Sequence, residues 1–326
     1  MASTEIVHAH AAPQGFIRKY IFSLDHKIIG LQYYFLALIA VFVGMGLSLL
    51  MRIHLIWPTA SLPIFGEIKP ETYLTLLTMH GTIMVFFVLT TAPQSGFGNY
   101  FLPIQIGAPD MAFPTLNMLS FWTTFIAFAV MIAAFFVEGG APLHGWTGYA
   151  PLSAIQGAGP GEGLGADLWI ASIAIFCAAS LMGALNFITT VLDMRAKGMT
   201  LMRMPLTCWA WFITAILGLL AFGVLLAAGI LLLMDRNLGT SFFVPGGLVV
   251  SGNAVSTVAA HLCSGNICSG SLVTPRCISR SFPVWAWRHS YFPRSRVSPS
   301  SDTERWCTRC WPSGSWDLWS GATTCS

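Results

Sequence analysis

The sequence predicts an all-α membrane protein, a polytopic bundle of helices that crosses the bilayer several times. Of its 326 residues, 55% are hydrophobic and only 9% are charged, whereas a soluble domain carries about 25% charged residues. Such a chain cannot cover a globular surface with polar groups. Its net charge of +3 is too small to indicate nucleic-acid binding. The same composition excludes disordered, collagen-like and small disulfide-rich proteins.

Five segments are long and apolar enough to span a membrane, since a transmembrane helix needs about 20 mostly apolar residues. They are residues 28–50, 73–91, 116–137, 168–192 and 209–233. The polar residues before the first span lack the short apolar core of a secretory signal, so we expect this span to stay as an anchor. The sequence therefore predicts a cytoplasmic N-terminal segment (1–27), a five-helix membrane region (28–245) and a separate tail (246–326).

Basic residues near the span ends predict the orientation, because Lys and Arg accumulate on the cytoplasmic side. A cytoplasmic N-terminus places six of them inside, namely Arg18, Lys19, Lys27, Arg195, Lys197 and Arg203, and three outside, namely Arg52, Lys69 and Arg236. The Gly-rich loop 138–166 would then face outward. Its segment 161–166 mimics a dinucleotide-binding fingerprint, but no strand precedes it, which indicates an ordinary loop.

His80 lies inside the second predicted span, in the stretch Leu74-Thr-Leu-Leu-Thr-Met-His80-Gly-Thr. An ionisable side chain at membrane depth is costly and indicates a function by default. The alternative is an inward-facing histidine that is hydrogen-bonded to a neighbouring helix. The adjacent Gly81 slightly favours a ligand role, because a missing side chain lets a flat macrocycle approach the helix. Imidazole is a common axial ligand of haem iron.

The segment around His80 resembles the second helix of subunit I of the haem–copper oxidases, the cytochrome c oxidase family. Five further stretches agree with it: Asp25-His-Lys-Ile-Ile-Gly30, Gly96-Phe-Gly-Asn-Tyr100, Ile106-Gly-Ala-Pro-Asp-Met-Ala-Phe-Pro114, Gly183-Ala-Leu-Asn-Phe-Ile-Thr-Thr190 and Gly198-Met-Thr-Leu-Met-Arg-Met-Pro205. Asp235-Arg-Asn237 with Thr240-Ser-Phe-Phe243 completes the resemblance, which covers about residues 15 to 245. It implies the first five helices of that family's fold.

The resemblance implies that His80 is an axial ligand of the low-spin haem a iron. It further implies that Arg52 contacts a polar substituent of this haem, that Tyr73 lies beside it and that Trp146 lies near it. From the residues alone, Arg52 could instead be a snorkelling side chain at the membrane surface. Trp146 could likewise be an interface anchor.

The resemblance also implies a proton-uptake path that begins at Asp110 and is lined by Asn99, Asn117 and Asn186. Amides in a membrane span must be hydrogen-bonded, so these should face the bundle interior. Without the resemblance, Asp110 would be a solvated loop carboxylate or the N-cap of the third span. Two positions depart from the family's pattern. Met118 replaces a second amide that usually follows Asn117, and Ala174 stands where a His is often found.

The family's oxygen-reducing centre requires further histidines, in an HPEVY motif, an HH pair and the tenth helix. No histidine after His80 lies in a predicted span, so this sequence offers no ligands for copper B or the second haem. The tail also changes composition, because six of the eight cysteines follow residue 260.

A shift of reading frame explains both observations. Suppose that each codon of the original frame consists of the last base of one codon of the present frame and the first two bases of the next. Residues 273–279 then permit His-Pro-Glu-Val-Tyr-Ile. Residues 264–273 and 319–326 permit Trp-Gln-His-Leu-Phe-Trp-Phe-Leu-Gly and Val-Trp-Gly-His-His-Met-Phe. We therefore interpret residues from about 254 to 326 as out-of-frame translation of a truncated subunit, and we expect a disordered tail.

The tail also contains patterns that would otherwise suggest function. Cys307-Thr-Arg-Cys310 resembles a redox or zinc motif, and His261, Cys263 and Cys268 could be metal ligands. Disulfides would suit an exported tail. The hidden oxidase motifs argue against all three interpretations.

Taken together, the resemblance implies catalytic subunit I of a respiratory terminal oxidase in the inner (plasma) membrane. The expected partners are the lipid bilayer, subunits II and III, cytochrome c as the electron donor through subunit II, and O2, which is reduced to water with proton translocation. The chain as it stands is expected to be inactive. The alternatives are a quinol-fed oxidase subunit, a membrane channel that uses Asp110 and Asn186, and a haem-binding remnant without turnover.

Overall fold

The first long helix begins at an acidic cap. The carboxylate of Asp25 accepts a hydrogen bond from the backbone N–H of Lys27 at 2.8 Å, which satisfies one of the donors that a helix start leaves free. From His26 onward the chain is apolar for eight turns, and the helix ends at Ile56. It exceeds the predicted span at both ends, because helical geometry continues beyond the apolar stretch.

The structure, a computed structural model, describes residues 15–58, 61–62, 66–244, 249–250 and 253–254. Its α-helices are α1 (His26–Ile56), α2 (Pro70–Thr82), α3 (Phe97–Ile106), α4 (Pro114–Ala133), α5 (Leu164–Asp193) and α6 (Leu206–Leu238). A π-helix (Ile83–Gly96) joins α2 to α3, a π-turn (Ile17–Ile21) precedes α1, and 3-10 turns cover Leu152–Ala154 and Leu201–Arg203. Two antiparallel hairpins pair β1 (Ser61–Leu62) with β2 (Gly66–Glu67) and β3 (Val249–Val250) with β4 (Asn253–Ala254).

Five helical stretches in this described part are long and apolar enough to cross a membrane. They are α1, the continuous α2–π–α3 stretch from Pro70 to Ile106, α4, α5 and α6. The predicted all-α membrane fold with five spans is therefore confirmed. The prediction that the chain comprises segments 1–27, 28–245 and 246–326 stays a prediction, and almost all of the predicted tail lies outside the described residues.

The second span is longer than predicted because a π-helix carries the chain past Pro93. A proline has no backbone N–H and normally breaks an α-helix. Here the helix widens, and the hydroxyls of Thr90 and Thr91 donate to the carbonyls five residues earlier, at 3.0 and 3.2 Å. The carbonyl of Pro93 accepts a hydrogen bond from the indole of Trp211 on α6 at 3.1 Å. π-Helical insertions of this kind are frequent at functional sites.

Small residues let the first two spans approach closely. A Cβ atom placed on Gly30 would lie 2.9 Å from the carbonyl oxygen of Gly96 and 3.1 Å from the backbone nitrogen of Tyr100. Any side chain at position 30 would therefore separate α1 from the start of α3. Such close approach at glycines is a usual basis of helix association in membranes, where the lipid-facing residues are as apolar as the core.

The two ends of the bundle differ in their chemistry. At one end, which we call the Asp110 end, α1, α4 and α6 begin and α3 and α5 end. The backbone N–H of Ala196 donates there to the carbonyl of Ile106 at 2.9 Å. At the other end, which we call the Arg236 end, α1, α4 and α6 end and α2 and α5 begin. His80 lies between the two ends.

Candidate functional site

His80 is half-buried in the last turn of α2 and faces α1. Its Nδ1 atom lies 2.8 Å from the carbonyl oxygen of Gly44. A carbonyl can only accept, so Nδ1 carries a proton, and in the neutral ring Nε2 then presents its lone pair. Within the described residues, Nε2 has no hydrogen-bond partner. Metal-binding imidazoles adopt this arrangement, so the residue fits an axial ligand of haem iron.

Trp146 packs on α2 at Gly81, the residue that follows His80. A Cβ atom on Gly81 would lie 3.0–3.1 Å from three side-chain atoms of Trp146. From the sequence, the missing side chain at Gly81 was expected to let a haem approach the helix. In the structure, the indole of Trp146 occupies this space. The structure brings Trp146 against α2 at Gly81, the residue that follows His80.

Two threonines on α2 fasten neighbouring segments around His80. The hydroxyl of Thr78 accepts a hydrogen bond from the backbone N–H of Gly145 at 3.0 Å, and the hydroxyl of Thr82 accepts one from the indole of Trp169 at 2.9 Å. Each hydroxyl donates its own proton to the carbonyl four residues earlier. Both threonines are fully buried, so these bonds fix α2 to α5 and to the loop before it.

Arg52 and Tyr73 lie nearer the Arg236 end. Arg52 is exposed in the last turns of α1, and no hydrogen bond or ion pair to it occurs in the part of the chain that the structure describes. Tyr73 is half-buried in the first turn of α2, with its ring centroid 5.8 Å from that of His54. It precedes His80 by two helical turns, about 10 Å along the axis. The structure brings neither residue into contact with His80.

Asp110 lies in the connection between α3 and α4. Burial raises the pKa of its carboxyl above the ordinary value, while the backbone N–H of Met111, which donates to Oδ1 at 2.7 Å, and the nearby His26 lower the pKa. The negative charge of Asp25 adds to the rise. Since α4 begins at Pro114 without a side-chain cap, the alternative that Asp110 is its N-cap is wrong.

The three predicted amides are all buried. Asn186 accepts a hydrogen bond from the backbone N–H of Phe113 at 2.9 Å, and Asn99 donates to the carbonyl of Ser95 at 2.7 Å. Each amide nevertheless keeps one buried polar atom without a partner among the described residues: Asn99 Oδ1, Asn117 Nδ2 and Asn186 Nδ2. Such atoms cost about 1–3 kcal/mol each unless water satisfies them. The amides therefore fit the lining of a hydrated path.

A polar cavity between α1, α4, α5 and the π-helix extends this lining. It offers about 20 Å³ to the centre of a water molecule, and about 10–15 Å³ suffices for one water. Its hydroxyl and amide groups come from Tyr33, Thr90, Gln94, Ser95, Asn99, Ser120, Thr124 and Ser180. Ser120 donates to the carbonyl of Ala179 at 3.0 Å, so the hydroxyl of Tyr33, 2.7 Å away, donates to Ser120. Of the predicted amides, Asn99 lines this cavity.

An apolar cavity lies between α5, α6 and residues 146–150, at the Arg236 end. It offers about 80 Å³ to the centre of a water-sized sphere. Trp146, Trp169, Ile173 and Leu225 are among its lining residues. Its chemistry suits a small apolar molecule.

A buried arginine organises the Arg236 end. Arg236 Nε lies 2.5 Å from Asp167 Oδ1, and the other guanidinium nitrogens donate to the carbonyls of Ser153, Glu162 and Gly163 at 2.6–2.9 Å. The sequence places Arg236 among the basic residues on the outer face, but in the structure its side chain is buried and bonds to four groups. It fixes the loop that carries Trp146 to α5 and α6.

Two ionisable side chains beside Arg236 were missed by the sequence analysis. Burial lowers the pKa of His144 to about 4, and the nearby Arg236 contributes to the lowering, whereas the carbonyl of Gly145 opposes it. Burial raises the pKa of Glu162, against the N–H of Leu143 and the charge of Arg236. Both residues occur in a Gly-rich loop without periodicity, so the sequence contains no signal for their burial.

Comparison with known proteins identifies the family of this chain. The sequence model of the family described as cytochrome c and quinol oxidase polypeptide I matches residues 28–263. The chain belongs to this family. The match ends slightly beyond the predicted frame break near residue 254, and the break itself stays a prediction.

Three relatives illustrate the similarity to this oxidase family. The chain is 44% identical over 233 residues (72% of this chain) to the alternative cytochrome c oxidase subunit 1 of Bradyrhizobium diazoefficiens. It is 44% identical over 226 residues (69% of this chain) to the cytochrome c oxidase subunit 1 of Synechocystis sp., and 41% identical over 253 residues (77%) to a probable subunit 1-beta of Nocardia farcinica. The matched part spans only 39%, 39% and 42% of these relatives' own lengths.

Members of the oxidase family generally bind haem and copper and work in a membrane complex with other subunits. The five spans fit such a membrane protein. Among the described residues, no three His, Cys, Asp or Glu side chains come together as a metal site. Haem iron requires only an axial ligand from the protein, and the imidazole of His80 fits this role.

The oxidase signature motifs did not reveal the hydroxyl residues of the polar cavity. Tyr33, Ser120 and Thr124 lie within otherwise apolar helices and form no motif, and Thr124 bonds to the carbonyl four residues back, as helical threonines commonly do. Gly44 was missed for the same reason, because a glycine in a membrane helix is ordinary. Only the packing of several helices brings these residues to one place.

Proposed function

We propose that this chain is the five-helix N-terminal part of the catalytic subunit I of a terminal oxidase, with His80 as the axial ligand of low-spin haem a. The observation that supports this most strongly is the state of the His80 ring. Its Nδ1–H is bonded to Gly44 at 2.8 Å, which leaves Nε2 free to bind iron. When bound, haem supplies reversible one-electron transfer. The protein orients the imidazole and keeps its neighbours fixed.

The residues around His80 have distinct roles in this proposal. Trp146 closes the side of α2 at Gly81. Arg52 provides a positive charge for a polar haem substituent, consistent with its exposure. Tyr73 provides an aromatic wall two turns from His80. The bonds of Thr78 and Thr82 to the adjoining segments keep these groups in place during electron transfer.

Proton uptake in this proposal begins at Asp110. Its raised pKa lets the carboxyl hold a proton closer to neutral pH than an ordinary aspartate does. Asn99, Asn117 and Asn186 each present one buried polar atom without a protein partner, and water molecules bound there would connect the carboxyl to the bundle interior. The Tyr33–Ser120 pair in the polar cavity would extend this chain of hydrogen bonds.

The complete subunit would transfer electrons from cytochrome c, received through subunit II, to O2 with formation of water and translocation of protons. It would lie in the inner (plasma) membrane with a cytoplasmic N-terminus, beside subunits II and III. Six Lys and Arg against three support this orientation. No histidine after His80 lies in a predicted span, so we expect no oxidase turnover from this chain alone.

Haem binding by the purified chain tests the proposal. The chain, expressed in membranes and supplied with haem a, should retain about one haem per chain, and His80→Ala should lower haem affinity at least ten-fold. His54→Ala, at a half-buried histidine on α1, is the matched control and should retain haem. Equal haem binding by His80→Ala and the unmodified chain would overturn the assignment. Oxygen consumption by the purified chain would overturn the expected inactivity.

A further inference from the structure

Gly44 lies where α1 approaches the junction between α2 and the π-helix most closely. A Cβ atom on Gly44 would lie 2.6 Å from Met84 Sδ and 3.1 Å from Met84 Cγ. Real Cβ atoms do not come so close to another heavy atom, so a side chain at position 44 requires Met84 or α1 to move. The residue is buried within the bundle. The absence of a side chain therefore lets Met84 keep its position while α1 keeps its observed spacing.

The same approach determines the hydrogen bond of His80. His80 and Met84 are four residues apart and hence lie on one side of their helix, both against α1. With Met84 packed on the Cα of Gly44, the carbonyl oxygen of Gly44 lies 2.8 Å from His80 Nδ1. A displacement of α1 by about 1 Å would stretch this contact beyond hydrogen-bonding distance.

That hydrogen bond selects the state of the imidazole. An Nδ1–H donor bonded to a carbonyl fixes which nitrogen carries the proton and how the ring is turned. Without the bond, the ring could rotate and both neutral tautomers would be populated. Which ring nitrogen of His80 carries no proton therefore depends on how Gly44 packs in α1.

We propose that Gly44 is a positioning residue for His80: its missing side chain leaves room for Met84, so that α1 can approach closely enough for the Gly44 carbonyl to fix the orientation and tautomer of the imidazole. This inference deepens the proposed function, since a fixed Nε2 lone pair matters because His80 binds iron. The statement about the tautomer, however, concerns only residues of this chain and can be tested without haem.

Gly46 offers a matched control on the same helix. A Cβ atom on Gly46 meets nothing within 4 Å, so Gly46→Ala and Gly46→Val change the intrinsic helix propensity as the same changes at Gly44 do, but leave the spacing of the helices intact. The double variant Gly44→Ala/Met84→Ala removes the atoms that the new Cβ would meet. It is expected to restore the spacing.

The first readout is the tautomer of His80 in the haem-free chain. Ring nitrogen shifts of ¹⁵N-histidine-labelled protein in lipid nanodiscs, assigned by difference with His80→Asn, report the proton position. The unmodified chain and both Gly46 variants should show the Nδ1–H tautomer. Gly44→Ala, and more strongly Gly44→Val, should show a mixture, and the double variant should return to one tautomer.

The second readout is haem affinity. Loss of the hydrogen bond that orients a metal-binding histidine lowers the affinity about 10- to 100-fold. The Gly44 variants should lose affinity within this range, with recovery in the double variant. If the Gly44 and Gly46 variants have the same ring-nitrogen spectra, the proposal is overturned. If the tautomers behave as expected but even the unmodified chain binds no haem, the positioning role stands and the proposed function fails.

Discussion

Arg236 and Asp167 form a buried ion pair that joins α6 to the start of α5. Arg236 Nε lies 2.5 Å from Asp167 Oδ1, and the guanidinium side chain is fully buried whereas the aspartate is 15% exposed. Three backbone carbonyls satisfy the remaining guanidinium donors. Since this arrangement also fixes the loop that carries Trp146, the pair supports the geometry around His80 from a distance.

Breaking this pair should destabilise the bundle strongly. Asp167→Ala leaves a buried guanidinium without its carboxylate, and Arg236→Met removes the bonds to the loop, so each should lower the free energy of unfolding by about 3–5 kcal/mol. Denaturation in mixed micelles, followed by circular dichroism, measures this change. Arg203→Met, at an exposed arginine, is the control and should change stability by less than about 0.5 kcal/mol. Similar losses in all three variants would contradict the prediction.

His144 should make the protein less stable in mild acid. Its pKa is about 4 in the folded chain against an ordinary value of 6.5, so the unfolded chain binds a proton that the folded chain does not. Stability should therefore fall as the pH drops from about 6.5 towards 4, by up to about 3 kcal/mol. His144→Gln should flatten this part of the stability profile, measured by melting temperature against pH. A profile that His144→Gln leaves unaltered would refute the assignment.

Gly165 should not tolerate a side chain. A Cβ atom there would lie 2.1 Å from the carbonyl oxygen of Gly140, and this contact is with backbone, which cannot rotate away. Gly165→Ala should lower the free energy of unfolding by about 1–3 kcal/mol and displace the loop around Trp146. Gly223→Ala, inside α6 with nothing within 4 Å of its Cβ, should not lower stability. Melting temperatures of the two variants decide the matter, and equal values would contradict the predicted clash.

The polar cavity should contain water. Hydroxyl-radical footprinting of the chain in nanodiscs labels aromatic side chains that lie beside bound water. Tyr33 and Phe187 line the cavity and are only 2% and 3% exposed, yet they should be labelled several-fold more than Phe87. Phe87 is buried in the apolar core and does not line this cavity. Labelling of Tyr33 no greater than that of Phe87 would show that the cavity is dry.

The five spans could be predicted from the sequence because their signal is local. A run of about 20 apolar residues must cross the bilayer whatever its neighbours are, and the structure has helices at all five predicted segments. The end of the second span could not be predicted in this way. Pro93 normally indicates a break, and only the widened π-helix, supported by Trp211 from α6, lets the helix continue to Ile106.

The sequence by itself determined that this is a five-span membrane protein of the haem–copper oxidase family with one histidine at membrane depth. Hydrophobic runs and signature motifs are properties of consecutive residues, so they need no three-dimensional information. Only the tertiary structure decided which nitrogen of His80 is free, that Trp146 fills the space beside Gly81, and that Arg236 is buried. These outcomes depend on contacts between residues that are 36 to 83 positions apart, which arise when helices pack and leave no pattern along the chain.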